Sequence, residues 1–329
     1  AENRLIDAVS RGDVDAAINV CHQMGRYTYN GRFRGTLYQI KTKMTIMNTL
    51  MRKAIERGKV HPYYIDKISS RYADRIPTIE VTNEMFWERG KTGFYSSPDY
   101  VDFCFKTAEK YFPHNTLAIN EWSTLWEAPE TPWDNYASYI ENELLRGGRI
   151  DAIGMQFHMF HRAERYFDAT RKFYDLAQLF RTLDNYARFG RPMQITEVTV
   201  PAFTADAADE ESQADVLERL YSLWFSYPNM TQIVYWNLAD GYAAFTTPGN
   251  MTDGENYYRG GLLRFDMSEK PAYRRLRHLI TEVWTTEETV TADDSGAAHF
   301  RGFYGEYEVT VGDRCAAVSF DRDGKEVAV

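Results

Sequence analysis

Short apolar runs alternate with longer amphipathic segments from about residue 76 onward. The short runs predict buried strands, whereas the longer segments repeat apolar residues at the three- and four-residue spacing of helices. The predicted strands are 76–81, 117–119, 150–157, 193–195 and 232–236. The predicted helices are 98–112, 133–146, 173–189, 214–225 and 271–281. The pattern therefore predicts an α/β protein.

Five strand–helix alternations in series are typical of parallel βαβ units, which close into a barrel or form an open, doubly wound sheet. The residues at the strand ends favour the barrel. Each predicted strand ends at or near a residue that could bind or act on a ligand: Glu84, Glu121, His158, Glu197 and Trp236. A barrel gathers its site from the C-terminal ends of all its strands, whereas an open sheet uses one switch point. We therefore expect a (β/α)8 barrel of the TIM type.

The two ends of the chain depart from this pattern. The first 75 residues predict mainly helix, with two weak strands at 27–29 and 36–40, and they are too few for three full βα units. We therefore expect either a barrel with a shortened N-terminal part or early strands that are missing from this sequence. From about residue 285, short β-like runs lie between Gly and Asp residues. We expect a catalytic domain over residues 1–284 and a small β-rich appendage over residues 285–329.

Composition narrows the range of partners. The formal net charge of -9 disfavours nucleic acid, because an acidic surface repels phosphate. No apolar run is long enough to cross a membrane. The three cysteines are far apart and form no CxxC motif, so neither a disulfide framework nor a zinc motif is expected. An uncharged glycan is compatible with this acidic net charge. The composition does not determine the oligomeric state.

Glu84 and Glu197 are the residues best suited to chemistry. Hydrolysis of a glycosidic bond needs one carboxyl group to protonate the leaving oxygen and a second to attack the anomeric carbon or activate water. Two glutamates at the mouth of one barrel would meet that need. Either glutamate taken alone would more often be a solvated loop residue, so the sequence around each of them matters.

Six segments, taken in order between about residues 63 and 280, carry a resemblance to a known family. They are RYADRIPTIEVTNE (71–84), LAINEW (117–122), IDAIGMQFH (150–158), QITEVT (194–199), VYWNLADGY (234–242) and LLRFDMSEKPAY (262–273). Together they resemble glycoside hydrolase family 10, whose members are mostly endo-β-1,4-xylanases. The ordered series is far more specific than any one segment.

The resemblance implies a retaining double displacement on β-1,4-linked xylan or xylo-oligosaccharides, without a metal or organic cofactor. Glu84 falls on the acid/base and Glu197 on the nucleophile. Asn83 falls on a residue that meets the sugar at the cleavage site. Gln156 and His158 fall on substrate-binding positions that line the same subsite, where the histidine would contact the nucleophile. Trp236 falls on a tryptophan whose indole would pack under the sugar.

Several departures from the family pattern keep other functions open. Thr199 and Glu121 stand where the family has aspartates, and Ala243-Ala244-Phe245 replaces a segment with a second tryptophan. The family's early motifs, which build glycone subsites, are not found. One alternative is the same mechanism on a different β-glycan or glycoside, and another is an inactive carbohydrate-binding barrel.

Two further expectations concern metal and compartment. His158 and His161 could suggest a metal site, but no third ligand has a recognisable spacing. The start of the chain has no apolar signal-peptide core, which is also what removal of a signal would leave. We expect a secreted or periplasmic location with the signal removed.

Overall fold

A computed structural model describes residues 62–88, 95–126 and 135–320 of the chain. The helices in this part are α1 (Pro62–Tyr72), α2 (Met85–Glu88), α3 (Tyr100–Tyr111), α4 (Asn135–Leu145), α5 (Ala163–Thr170), α6 (Leu176–Ala187), α7 (Ala207–Ser226) and α8 (Pro271–His278). The strands are β1 (Thr78–Thr82), β2 (Thr116–Glu121), β3 (Ala152–His158), β4 (Met193–Thr199), β5 (Met230–Tyr235), β6 (Gly305–Val311) and β7 (Arg314–Phe320).

Strands β1 to β5 form one sheet in chain order. The β1–β2 pair is parallel, with Thr78 opposite Thr116, and so is the β4–β5 pair, with Met193 opposite Met230. At least one helix lies between each strand and the next, as expected for successive βαβ units. All five predicted strands are present, so the predicted α/β architecture is confirmed.

The described chain falls into two compact units. The first runs up to Gly154 and also includes Thr182–Pro192. Its core holds apolar side chains from β2 and the neighbouring helices, among them Phe105, Leu117 and Ile140. Strand β2 is almost wholly buried, which explains why it has a continuous apolar run rather than an alternating pattern.

The second unit comprises Met155–Arg181 and the chain from Met193 onward. Its core is built on aromatic rings: Phe157 on β3 makes edge-on contacts with Phe173 at 5.2 Å and with Trp224 at 5.1 Å. Edge-to-face packing is a favoured arrangement for buried aromatic side chains. Part of the aromatic content of the described residues therefore lies in this core, while other large aromatic side chains are exposed.

The C-terminal segment is a single β-hairpin with irregular chain before it. Strands β6 and β7 pair antiparallel from Gly305 opposite Phe320 to Val311 opposite Arg314. The further strands predicted at 289–291 and 299–303 are wrong, because those residues adopt no strand structure. Phe300 instead packs on the rings of Tyr307 and Phe320. The boundary between residues 284 and 285 stays a prediction.

Other sequence-based expectations fall outside the described residues. These are the helices and weak strands predicted over residues 1–57, and with them the shortened N-terminal part of the barrel. The end of the proposed appendage, residues 321–329, is likewise outside. None of the described helices is both long and apolar enough to cross a bilayer.

Candidate active site

Glu84 lies in the turn between β1 and α2, with a backbone φ of 51°. This left-handed conformation is uncommon for a residue with a side chain and costs roughly 1–2 kcal/mol. Residues held in such conformations cluster at functional sites, where the surrounding structure keeps them in place. The turn therefore carries Glu84 in a strained conformation at the C-terminal end of the strand.

Asn83, the residue before Glu84, is buried. Its Oδ1 accepts a hydrogen bond of 2.7 Å from Nδ2 of Asn120, which also donates to Glu80 at 3.1 Å. Asn120 is fully buried at the end of β2. The Asn83 carboxamide is therefore fixed in orientation by the neighbouring strand, which a role in orienting a sugar hydroxyl would require.

Glu121 occupies the C-terminal end of β2 and is only 2% exposed. Its carboxyl group accepts hydrogen bonds from the backbone amides of Trp122, at 2.8 Å, and Phe86, at 3.3 Å. Burial raises the pKa of Glu121 to about 7 against the opposing effect of these amides, and the charge on Glu84 raises it further. Glu121 therefore lies close enough to Glu84 for the two carboxyl groups to interact.

Glu197 lies on β4 in the second unit, and both of its carboxylate oxygens have partners from β3. Nε2 of Gln156 donates to Oε1 at 3.2 Å, and Nε2 of His158 lies 3.2 Å from Oε2. The three side chains meet because parallel β3 and β4 bring alternate residues to the same face. The Glu197 carboxylate is therefore held in a defined direction.

His158 is held on three sides. Its Nδ1 lies 3.0 Å from Oγ1 of Thr199, its ring stacks on Phe160 at 4.6 Å, and the edge-on indole of Trp236 lies 6.0 Å away. A proton on Nε2 is needed to bind the carboxylate of Glu197, so in the neutral ring Nδ1 accepts from the Thr199 hydroxyl. The Glu197 carboxylate thus favours the tautomer with the proton on Nε2, and the Thr199 hydroxyl can satisfy Nδ1 in that tautomer.

Trp236 follows β5 and is anchored at both its backbone and its indole. Its backbone N–H donates to the carbonyl of Val198 at 3.0 Å, and its indole Nε1 donates to Oε2 of Glu255 at 2.8 Å. The same oxygen accepts from Nδ2 of Asn237 at 2.5 Å, and Asn237 has a left-handed φ of 56°. Glu255 therefore fixes both the indole and the turn that follows it.

A buried ion pair supports the chain beyond β5. Nζ of Lys270 lies 3.3 Å from Oδ2 of Asp240 and 2.8 Å from the carbonyl of Arg259, while Oδ1 of Asp240 accepts from the amide of Gly261. Burial raises the pKa of Asp240 and lowers the pKa of Lys270, against the attraction between the two charges. The pair joins three segments of the second unit.

The predicted site residues thus fall into two groups. Gln156, His158, Glu197 and Trp236 form one connected set within the second unit. Asn83 and Glu84 lie in the first unit, where Glu84 interacts with Glu121. Their catalytic and substrate-binding roles stay predictions. Among the described residues, no group of three or more His, Cys, Asp or Glu side chains is arranged to hold a metal ion.

Three residues that shape the site were not predicted to do so. The sequence identifies Glu121 as a strand-end residue and as a departure from the family pattern, and Thr199 only as such a departure, without assigning either of them a supporting role. Glu255 had not been noticed, because nothing in the sequence links it to Trp236, which lies 19 positions earlier. The role of Glu255 is visible only in the structure, where a single carboxylate oxygen accepts hydrogen bonds from both Trp236 and Asn237.

The chain matches the model of a known family and the folds of solved structures. The family model of glycosyl hydrolase family 10 matches residues 42–278. Xylanase 10B from Thermotoga maritima superposes with a TM-score of 0.54 at 21% identity, covering 68% of this chain and 66% of that one. The catalytic core of a xylanase A gives a TM-score of 0.52 at 15% identity, covering 70% of this chain and 71% of that chain. These likenesses show the fold, and the predicted (β/α)8 barrel is confirmed.

Three curated proteins have related sequences, among them an anti-sigma factor and a xylanase. The anti-sigma-I factor RsgI6 of Acetivibrio thermocellus is 28% identical over 205 residues, which is 61% of this chain and 22% of that protein. Endo-1,4-beta-xylanase C of Paenibacillus barcinonensis is 24% identical over 214 residues, 56% of this chain and 18% of that protein. This chain therefore spans about one fifth of the length of the curated relatives it matches.

Proposed function

The chain belongs to glycosyl hydrolase family 10, and on that premise we propose that it hydrolyses β-1,4-linked xylan or xylo-oligosaccharides with retention of configuration. One observation carries the proposal: Gln156 and His158 each bind one oxygen of the Glu197 carboxylate. A nucleophile must be ionised and aimed at the anomeric carbon, and two directional donors supply both conditions.

In the first step of the proposed reaction, Glu197 attacks the anomeric carbon while Glu84 transfers its proton to the glycosidic oxygen. The carbon–oxygen bond breaks, the aglycone leaves as an alcohol, and a glycosyl ester forms on Glu197. In the second step, Glu84, now ionised, takes a proton from water, and the resulting oxygen nucleophile attacks the same carbon. The ester bond breaks, so that Glu197 and Glu84 return to their starting forms.

The other predicted residues support these steps. Asn83, fixed by Asn120, would hydrogen-bond a hydroxyl of the sugar beside the cleaved bond. The indole of Trp236, fixed by Glu255, would form a flat apolar surface for that sugar ring. His158 would keep the Glu197 carboxylate in place as its charge is consumed and restored.

The choice of xylan rests on the xylanases that this chain resembles in sequence and fold. Xylanase 10B from Thermotoga petrophila, which has the same fold with a TM-score of 0.52 at 21% identity, is recorded in complex with xylobiose. Ala243-Ala244-Phe245 stands where the family pattern has a second tryptophan, so an indole of the family pattern is replaced by smaller side chains at Ala243 and Ala244. The substrate test therefore also covers two other outcomes, which are cleavage of a different β-glycan and binding of a sugar without cleavage.

The test is product release from β-1,4-xylan by the parent chain, Glu197→Ala and Glu84→Ala, with the exposed Glu282→Ala as the matched control. We expect loss of at least about 10³-fold for Glu197→Ala, because the nucleophile is removed, and no change for Glu282→Ala. Proton NMR of the first product should show the β-anomer. An α-anomer would overturn the retaining mechanism, and sugar binding without release by the parent would favour a binding protein.

A further inference from the structure

The turn that carries Glu84 raises a question that the proposed mechanism does not answer. Glu84 has a left-handed backbone, and α2, which follows it, is only four residues long. A helix of one turn cannot by its own hydrogen bonds hold a strained residue in place, because its first amides have no partner within the helix. A side chain from outside the turn that binds those amides would help to hold the residue in place.

Glu121 supplies that contact from the neighbouring strand. Its Oε2 accepts from the amide of Phe86, two residues after Glu84, and the amide of Met85 also stabilises the carboxylate. Its Oε1 accepts from its own neighbour, Trp122, at 2.8 Å, so the carboxyl group is tied to β2 on one side and to the turn on the other. The side chain thus joins the ends of β1 and β2.

A carboxyl group is the side chain that suits this position. It offers one oxygen to each set of amides, whether it is ionised or protonated, whereas a carboxamide would point its NH2 group at one of the N–H donors. Burial of such a group is costly unless its polar atoms are satisfied, and Glu121 is only 2% exposed. The groups that face it include the carboxyl of Glu84 and the phenol of Tyr100 on α3.

We infer that Glu121 is a positioning residue for the acid/base, which binds the amides after Glu84 and thereby holds the Glu84 carboxyl group where it can protonate the leaving oxygen. Glu121 does not touch the substrate in this scheme. Its effect passes through the backbone of the turn. The inference rests on the proposed function for its kinetic consequence, but its structural content is independent of any substrate.

The kinetic test compares leaving groups. The 2,4-dinitrophenolate group of a 2,4-dinitrophenyl β-xylobioside leaves without being protonated. The sugar that leaves from a xylo-oligosaccharide must be protonated by the acid. For Glu121→Gln we expect kcat/KM on xylotetraose to fall about 10-fold or more, with less than a 3-fold change on the activated glycoside. Glu121→Asp, which keeps both oxygens on a shorter side chain, should fall between Gln and the parent. Equal losses on both substrates, or no loss on either, would overturn the inference.

The matched control is Glu143→Gln. Glu143 lies on α4 in the same unit, is as buried as Glu121, and has its pKa raised by burial in the same way. The charged groups that act on it are Asp102, Arg146 and Lys106, and neither Glu84 nor the turn is among them. This variant should leave the ratio of the two kcat/KM values unchanged.

Hydrogen exchange tests the inference without a substrate. In Glu121→Gln the amides of Met85 and Phe86 should exchange at least about 10-fold faster than in the parent, while those of β4 should not change. Unchanged protection at residues 85–86 would overturn the inference even if activity falls. A parent that hydrolyses neither substrate would refute the proposed function alone, and the exchange measurement would still decide the role of Glu121.

Discussion

The imidazole of His158 joins Glu197 to Thr199, with Nε2 lying 3.2 Å from the carboxylate and Nδ1 lying 3.0 Å from the hydroxyl. A carboxylate at position 199 would favour a doubly protonated, cationic ring, because both nitrogens would then face negative charge. A hydroxyl can instead donate to Nδ1. The Thr199 hydroxyl is therefore compatible with the ring tautomer in which Nε2–H donates to the candidate nucleophile.

Replacing the hydroxyl should weaken that arrangement. Thr199→Val keeps the shape of the side chain but leaves Nδ1 without its donor, so the ring can adopt the other tautomer, which cannot donate to Glu197. The loss of one hydrogen bond of about 1 kcal/mol corresponds to a fall of about 5-fold in kcat/KM. Thr199→Ser keeps the hydroxyl and should remain within about 2-fold. Equal activity of the Val and Ser variants would show that Thr199 does not control the tautomer.

The carboxylate of Glu255 should matter for substrate binding. Glu255→Ala removes the acceptor shared by Trp236 and Asn237, so the indole loses its fixed orientation. We expect KM for xylo-oligosaccharides to rise by about 10-fold with a smaller change in kcat, because hydrogen bonds to charged groups contribute about 1.5–3 kcal/mol. Glu255→Gln retains one acceptor oxygen and should be milder. A fall in kcat alone, with KM unchanged, would contradict this role.

Much of the architecture follows from the sequence because the buried parallel strands are continuous apolar runs. Strand β2 was predicted at 117–119 and extends over Thr116–Glu121, since Asn120 and Glu121 are polar yet buried. Likewise α7 begins at Ala207 rather than 214, because its first two turns are acidic and lack an apolar pattern. Acidic residues are favourable in the first turn of a helix, which hydrophobic periodicity does not detect.

The site was predicted less completely, for a physical reason. Gln156, His158 and Glu197 were singled out through the resemblance to family 10, and Gln156 and His158 share a face because they are two residues apart on one strand. The partners Glu121 and Glu255 act through hydrogen bonds to backbone amides or to an indole, and the pairing depends on the paths of turns. Helix α5 (Ala163–Thr170) was not predicted either, since it spans only eight residues and is too short for a clear apolar periodicity.

The buried pair of Lys270 and Asp240 should show strong coupling. Lys270→Met leaves the Asp240 carboxylate buried without its cation and should lower the free energy of unfolding by about 3–5 kcal/mol. Asp240→Asn should do the same by leaving the ammonium group unpaired. The double variant should lose less than the two single losses combined, as measured by urea denaturation. Additive losses would mean that the two charges do not act as a pair.

The stability of the protein should depend on the titration of Glu121. Its pKa rises from 4.5 to about 7 on folding, so between these values the folded chain holds a proton that the unfolded chain has lost. The contribution of Glu121 to stability is then largest below pH 4.5 and decreases as the pH rises to about 7, by on the order of 3 kcal/mol. Relative to Glu121→Gln, the parent should lose this amount across the window, as measured by chemical denaturation at each pH.

A second measurement of stability against pH isolates the part of the Glu121 pKa shift that comes from Glu84. Because the charge on Glu84 raises the pKa of Glu121, the window should end at lower pH in a Glu84→Gln background. A stability difference between the parent and Glu121→Gln that does not change between pH 4.5 and 7 would show that Glu121 is not held protonated by burial.

The left-handed backbone conformation at Glu84 costs stability at the same position where the proposed mechanism needs a glutamate. Glycine adopts a φ of 51° without the steric penalty that a glutamate carries, so Glu84→Gly should fold at least as stably as the parent. A laboratory selection that rewards only survival at high temperature would therefore tend to replace the residue that the proposed chemistry needs most. Engineering of this chain for industrial conditions should screen for turnover together with melting temperature, and should keep position 84 out of stability-guided libraries.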